Sequence, residues 1–379
     1  MPSIARIKEE RQVLILRHGR SEDGKGLVQV LTTLVPIALT WWLLAATFEE
    51  SPWFAFVAAA VIALFTLRAF VMMHECGHGS LFRTPWLNRA FGFVMGVVTG
   101  MPQYVWSQHH NFHHVNNGNW EKYRGPLSTA SVEEYAAMSE SCRRRYRNLR
   151  CIALAPFGGF VYLLFNPRFT WLRGSALYLV HIARGKLAHP FVPVRQIGAT
   201  FRTGYWKSGR EYWHMAGNNL VLLAAWGLLA GALGPALFFP VYLAAISLAG
   251  AAGLVLFTVQ HNFEHSYASD SASWDCVAGT LRGTSFLILP RWLNWFTADI
   301  AYHHIHHLSS CIPNYRLASC HGEFEELFVE VVRLRLSQIP GAMKCILWDR
   351  QARRIISVAE YDASRAQGDG PQLAPLSPS

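Results

Sequence analysis

No pair of cysteines in this sequence has the spacing of a sulfur-bound metal site. The seven cysteines, Cys76, Cys142, Cys151, Cys276, Cys311, Cys320 and Cys345, include no C-x-x-C, so a thiolate zinc site or an iron–sulfur cluster has no support. Charge is scarce as well. Asp, Glu, Lys and Arg make up 15% of 379 residues, and four long apolar runs carry almost none of it. Residues 27–48, 53–73, 214–233 and 237–259 each approach the roughly 20 residues a helix needs to cross a bilayer. Only the second holds a Lys or Arg, Arg68, whose side chain is expected to snorkel to the interface. These runs overturn the two or three soluble domains that length alone suggests. The expected fold class is an all-α integral membrane protein with four transmembrane helices in two hairpins and a cytoplasmic helical cap. No cleavable leader is expected, because the first apolar run is too long and follows a basic stretch.

Basic residues are missing from two turns, Glu49-Glu50-Ser51-Pro52 and Gly234-Pro235-Ala236. They concentrate instead at Arg6, Lys8, Arg11, Arg17 and Arg20, and at Arg143, Arg144, Arg145, Arg147 and Arg150. The positive-inside rule then places both termini and the long middle connection on the cytoplasmic side. It also accounts for most of the net charge of +10, so no nucleic-acid partner is expected. All seven cysteines fall on that side, where thiols stay reduced and structural disulfides are not expected. The arginine run at 143–147 is read first as a topology and lipid-headgroup element, and second as a dock for an acidic protein.

Two shorter apolar stretches, residues 91–102 and 151–165, are expected as interfacial or re-entrant helices. Residues 323–337 are expected as a cytoplasmic helix covering the site. The organisation is one domain over 1–362 and a polar, Pro/Gly/Ser-rich disordered tail over 363–379.

What the chain has in excess is histidine. Three clusters stand out: His74-Glu75-Cys76-Gly77-His78, His110-Asn111-Phe112-His113-His114 and His303-His304-Ile305-His306-His307. A fourth element, Gln260-His261-Asn262-Phe263-Glu264-His265, sits between the last two. Spacings of three and four residues place side chains on one helix face. The second apolar run leads directly into His74 and the fourth into His261, so both hairpins return to one membrane face. So many imidazoles exceed the needs of one zinc; the pattern reads as a site for two metals, expected to be iron. The candidate ligands are His74, His78, His110, His113, His114, His261, His303, His306 and His307. His265, Asn111, Glu75 and Asp299 are expected as supporting neighbours or an extra ligand. His109 and His304 fall one step off the ligand faces. His18, His181, His189, His214 and His321 stand alone and read as ordinary surface or interface residues.

Three other chemistries compete. His74-Glu75-x-x-His78 matches the H-E-x-x-H metalloprotease motif, but leaves the remaining clusters without a role. Glu75-x-x-His78 and Glu211-x-x-His214 match the pairs of carboxylate-bridged di-iron bundles, without the further helix-borne Glu ligands. A membrane hydroxylase or ketolase would share the box spacing.

The boxes and their flanks resemble the membrane fatty acid desaturases, specifically the acyl-lipid Δ12 (omega-6) type. Residues 74–80 match H-D/E-C-G-H-G-S. Trp106 and residues 110–114 match a Trp followed by H-N-x-H-H. Residues 303–309 and then Pro313-Asn314-Tyr315 match H-x-x-H-H-L-S and its downstream Pro-Asn-Tyr. Residues 260–264 match the Gln-His-x-Phe-Glu after the fourth span; His265 departs from the acid or small residue expected next. The likeness covers roughly residues 60 to 325. It implies two irons with O2 as co-substrate, a fatty acyl lipid substrate, and two electrons from a separate ferredoxin-like or cytochrome-like donor. It also implies residence in a bacterial inner membrane, with the active site on the cytoplasmic face. No haem-binding or flavin motif is fused to the chain.

Overall fold

The computed structural model describes residues 4–125 and 127–367. Helix α1 (Ile4–His18) lies ahead of a helical hairpin, α2 (Asp23–Thr47) and α3 (Phe54–His78). Two shorter helices follow, α4 (Pro85–Val98) and α5 (Gln103–Val115). Strand β1 (Ala130–Ser131) opens a small region with α6 (Val132–Ala137) and α7 (Glu140–Asn148). A long helical segment then runs through α8 (Ala155–Phe160), a π-helical turn and α9 (Asn166–Ala188), with α10 (Val194–Ala199) after it. The second hairpin is α11 (Gly209–Leu233) and α12 (Pro235–His261), joined at Gly234.

Beyond α12 the elements are short: α13 (Cys276–Arg282), β2 (Ser285–Ile288), α14 (Arg291–Phe296), α15 (His303–Leu308) and α16 (Asn314–Glu323). They are followed by β3 (Val332–Arg335), α17 (Ile339–Ala342), β4 (Cys345–Asp349), β5 (Arg354–Ser357) and α18 (Val358–Ala366).

Helix α3 is the spine, packed against α2, α4 and α12. Lipid offers no hydrophobic drive for helix association, so small residues that allow close approach decide which faces meet. Ala58, Ala59 and Ala63 of α3 and Ala245 and Ala249 of α12 share one buried cluster with Trp41, Leu237 and Phe238. Large apolar side chains on α2 and α11 point outward, among them Leu31, Val35, Leu39, Trp42, Leu220 and Leu228, as lipid-facing surfaces must.

The architecture differs from expectation in four ways. Among the described residues five helices, not four, are long and apolar enough to cross a membrane; the addition is Ile152–Ala188, which absorbs the stretch expected to be a short re-entrant helix. The chain is mainly helical but not all-α. Strands β1, β4 and β5 form one sheet, with β1–β4 parallel and β4–β5 antiparallel, and β2 pairs with β3 in parallel. The expected covering helix over 323–337 is absent. Its last part is β3, running Val332-Arg333-Leu334-Arg335 with Leu334 buried, an alternation of period two, the strand period. Finally, Arg68 does not snorkel. It is 3% exposed, lies 3.9 Å over the Trp295 ring, and donates to Thr33 Oγ1, Gln29 Oε1 and the Trp295 carbonyl.

The basic N-terminal stretch is also engaged within the protein. Arg6 pairs with Glu326, Lys8 with Asp275, and Arg17 and His18 with Glu323. The last turn of α18 falls inside the expected tail; the rest of that tail, 368–379, lies outside the described residues. The seven cysteines are unpaired.

Candidate metal centre

Four stretches of chain deliver imidazoles to one place. His74 and His78 lie one turn apart at the end of α3, which stops at Gly79 in the left-handed region (φ 73°). Gly77 lets α5 approach: a Cβ there would meet Ser107 Oγ at 2.4 Å. Helix α5 brings His110, His113 and His114, α12 ends on His261, and α15 carries His303, His306 and His307.

The nine expected ligands fall into two groups. One comprises His74, His78, His110, His114 and His306; the other comprises His113, His261, His303 and His307. Within each group, one ring nitrogen per residue lies within 4.8 Å of all the others. The groups abut, because His114 and His307 stack at 4.1 Å between centroids with 10° between planes. Helices α5 and α15 each contribute to both groups.

The nitrogens meet in a way that hydrogen bonding alone does not satisfy. His114 Nε2 lies 2.9 Å from His110 Nε2 and 3.1 Å from His306 Nε2. In the other group, His303 Nε2 is 2.9 Å from His261 Nε2, and His113 Nε2 is 3.2 Å from His307 Nε2. The buried Nε2 atoms of His74 and His78 have no hydrogen-bond partner. Two imidazole nitrogens held about 2.1 Å from one ion at right angles sit about 3.0 Å apart. The observed spacings fit two ions.

Outer contacts fix the ring states. His74 Nδ1 is 3.1 Å from Glu75 Oε1, and His261 Nδ1 is 3.3 Å from the Gly283 carbonyl. Carbonyl and carboxylate oxygens only accept, so Nδ1 carries the proton and Nε2 presents its lone pair. Burial holds His110, His113, His114, His303, His306 and His307 well below the ordinary imidazole range, and neighbouring imidazoles push the same way. Neutral imidazole is the metal-binding form.

Of the four supporting residues, only Glu75 is at the centre. Fully buried, it faces His74 Nδ1, lies 3.8 Å from His306 Nδ1, and accepts from Ser80 Oγ at 2.8 Å and the Asn314 N–H at 3.1 Å. His265 is exposed, adopts a left-handed backbone (φ 64°) and contacts Arg354. The chain has turned away from the site four residues after His261. Asn111 is exposed on the outer face of α5. Asp299 faces Arg68, and burial raises its pKa against that cation's pull. None of these three belongs to either histidine group.

His109 is exposed, as its helix position predicts. His304 also points away from the ligand groups, but into a second buried contact: its Nε2 lies 3.1 Å from His321 Nδ1, with Phe328 beside it. His321 was therefore missed as a partner. Tyr123 and Phe257 were missed too; they wall the second group at 4.6 and 5.1 Å from the His113 ring. Lone aromatics carry no sequence signal for such a role. Trp106 stacks on His110 at 4.5 Å and 14°.

The fatty acid desaturase family model matches residues 51–337. The chain is 27% identical to a protein of Bacillus subtilis (strain 168) named fatty acid desaturase, over 94% of this chain and 92% of that protein. It is 24% identical to the sn-1 oleoyl-lipid 12-desaturase of a Synechocystis species, over 68% of this chain and 64% of that one. With the endoplasmic reticulum omega-3 fatty acid desaturase of Vigna radiata it shares 26% identity, over 65% of this chain and 58% of the relative. It thus spans less than two thirds of the latter two proteins.

Proposed function

The chain belongs to the fatty acid desaturase family, a family of oxidoreductases, and from that premise we propose a membrane-bound fatty acyl desaturase with a histidine-ligated di-iron centre. The observation that carries this reading is the convergence of nine imidazoles into two abutting groups. An unactivated methylene yields to no acid or base, and two irons with O2 supply the oxidising power its C–H bonds require. The reaction removes two hydrogens from adjacent acyl carbons. Together with two protons and two external electrons they reduce O2 to two waters.

The protein's own residues hold, orient and shield. The nine histidines are the ligands, Glu75 fixes His74 through its outer nitrogen and lies 3.8 Å from that of His306, and Trp106, Tyr123 and Phe257 keep the surroundings apolar. Glu75 is fully buried and bonded to Ser80 and Asn314, which suits a ring-orienting anion rather than the water-activating base of a protease.

In this reading α2, α3, α11 and α12 span the membrane. His78 and His261 end their helices in abutting groups, so the two hairpins return to one face, and α11 begins on that face. The connection between them then crosses an even number of times, which supports an interfacial course for Ile152–Ala188. Arg168, Arg173, Arg184 and Lys186 along it fit that placement. The basic N-terminus and α7 mark the site face as cytoplasmic, in a bacterial inner membrane.

Electrons come from a separate ferredoxin-like or cytochrome-like protein. On α7 and just beyond it, Arg143 and Arg150 bond backbone carbonyls and Arg147 bonds Tyr135 and Glu140. Arg144 and Arg145 are exposed and are the pair available to an acidic donor.

Expression in a host lacking polyunsaturated lipids tests the reading. A new unsaturated acyl species is expected, absent from His113→Ala and His306→Ala cells, with about two irons per purified chain. Products gaining oxygen rather than losing two hydrogens would make the enzyme a hydroxylase or ketolase. One zinc and no iron would end the di-iron proposal.

A further inference from the structure

Two consecutive residues ahead of the third histidine box, Ala298 and Asp299, adopt left-handed backbone conformations, with φ 47° and 58°. Neither is glycine, and a Cβ makes this region costly. The turn ends α14: the Ala298 N–H bonds the Trp295 carbonyl at 3.1 Å, and the Asp299 N–H bonds the Asn294 carbonyl at 2.9 Å. Helix stops of this pattern are usually built on a left-handed glycine. Here alanine takes that place and aspartate repeats the conformation. Residues held this way persist only where their surroundings impose it.

The restraint comes from both hairpins. Arg68 of α3 lies 3.9 Å over the Trp295 ring, donates to the same Trp295 carbonyl that receives the Ala298 N–H, and attracts the Asp299 carboxylate. Gln29 and Thr33 of α2 accept from the same guanidinium. From α12, Gln260 donates to the Ile300 carbonyl at 2.8 Å. Gln260 immediately precedes His261, and Arg68 lies about 9 Å along the helix axis from His74. The turn is therefore tied to the two helices that carry His74, His78 and His261, and it leads directly into α15. Helix α15 serves both histidine groups, with His306 in one and His303 and His307 in the other.

We propose that Arg68 is a positioning residue for the third histidine box: its guanidinium pins the left-handed Ala298–Asp299 turn, and the turn sets where α15 enters the centre. The inference rests on the reading of the histidine groups as metal ligands and deepens it. Ionisable residues inside membrane spans mark functional positions, yet Arg68 touches neither histidine group. Its contacts instead converge on the one segment whose backbone would relax without them. A ligand set is held in working geometry only when the elements behind it are fixed. Here one side chain from α3 and one from α12 index α15 against the ligands those helices already carry.

The test uses the full-length protein in detergent, freed of metal and titrated with cobalt(II). Hydrogen exchange across residues 298–308 is followed by mass spectrometry before cobalt is added. Arg68→Met is expected to weaken cobalt binding about 10- to 100-fold, the range for groups that orient metal ligands, and to speed exchange across 298–308. Arg68→Met/Ala298→Gly/Asp299→Gly should recover most of the affinity and slow the exchange again, because glycine holds a left-handed turn unaided. Arg68→Met/Asp299→Ala removes the stranded carboxylate but keeps both Cβ atoms, and should recover neither. Equal rescue by the alanine and glycine variants would reduce the contact to charge balance and overturn the proposal. So would wild-type affinity and exchange in Arg68→Met. Should Arg68→Met fail to fold, Arg68→Lys keeps the charge without the planar fork and enters the same comparisons. Glycine-specific rescue in a protein that yields no unsaturated product in the expression host would leave the positioning role standing and remove the desaturase reading. A wild type that binds no cobalt would remove the metal-centre reading, and the exchange comparison would then decide the turn on its own.

Discussion

The two histidine groups are built from the same side chain yet are not equivalent. The five-membered group has an anion behind it: Glu75 faces the outer nitrogens of His74 and His306. Among the described residues the four-membered group has the Gly283 carbonyl behind His261, the rings of Tyr123 and Phe257 around it, and no carboxylate behind it. A carboxylate behind an imidazole raises its basicity and stabilises positive charge on the ion it binds. The lesson is that two nitrogen-rich sites can be made electronically different from outside the ligand shell.

Removing a ligand breaks the comparison outright. His306→Ala in the first group and His303→Ala in the second should each abolish product. Each should also lower iron from about two to about one per chain, read by metal analysis of purified protein. Equal loss of both ions from either variant would mean that the groups do not bind independently.

Altering the outer anion sharpens the comparison. Glu75→Gln keeps the shape and removes the charge, and outer-ligand changes of this kind cost about 10- to 100-fold in metal affinity or activity. Mössbauer spectra of the 57Fe-loaded variant should show one of two iron signals moved and the other unchanged. A shift of both would place the influence of Glu75 on the whole centre.

The smallest effect lies on the back of α15. His304→Phe removes the contact with His321 and should cost about 1–3 kcal/mol for a buried polar partner left unpaired. A lowered Tm with iron content and product pattern intact is expected. Lost iron would show that this contact aims His303, His306 and His307.

Much of the centre was legible in the sequence because helical spacing and residue chemistry act locally. His74 and His78, or His110 and His114, share a face wherever their helices lie. What spacing could not supply was the division into groups, since His113 and His114 are adjacent in sequence yet belong to different groups. Glu75 was legible as a neighbour but not as the link between α3, α15 and the Asn314 N–H, a tertiary property. Asn111, His265 and Asp299 were placed beside the site by sequence proximity alone, and the folded chain turns each away. In the fold, long apolar runs identified four helices. Ile152–Ala188 escaped because Arg168, Arg173, Arg184 and Lys186 interrupt its apolar character. The strand β3 reads as a helix in sequence because it closes a longer run, 323–337, whose apolar and charged residues alternate at helical spacing; pairing with β2 decides it.

Arg68 has a consequence for how the protein is made. When the first hairpin leaves the ribosome, the one cation within its second helix has only Gln29 and Thr33 to turn to. The Trp295 carbonyl that completes its contacts is synthesised 227 residues later. A cation near the middle of an isolated helix costs about 2.5–3.5 kcal/mol to insert, so the hairpin enters the bilayer as an unfinished unit. Late synthesis of α14, ahead of the third histidine box, then locks an early membrane helix, and a chain cut short before Trp295 leaves quality control an unpaired charge in lipid to detect.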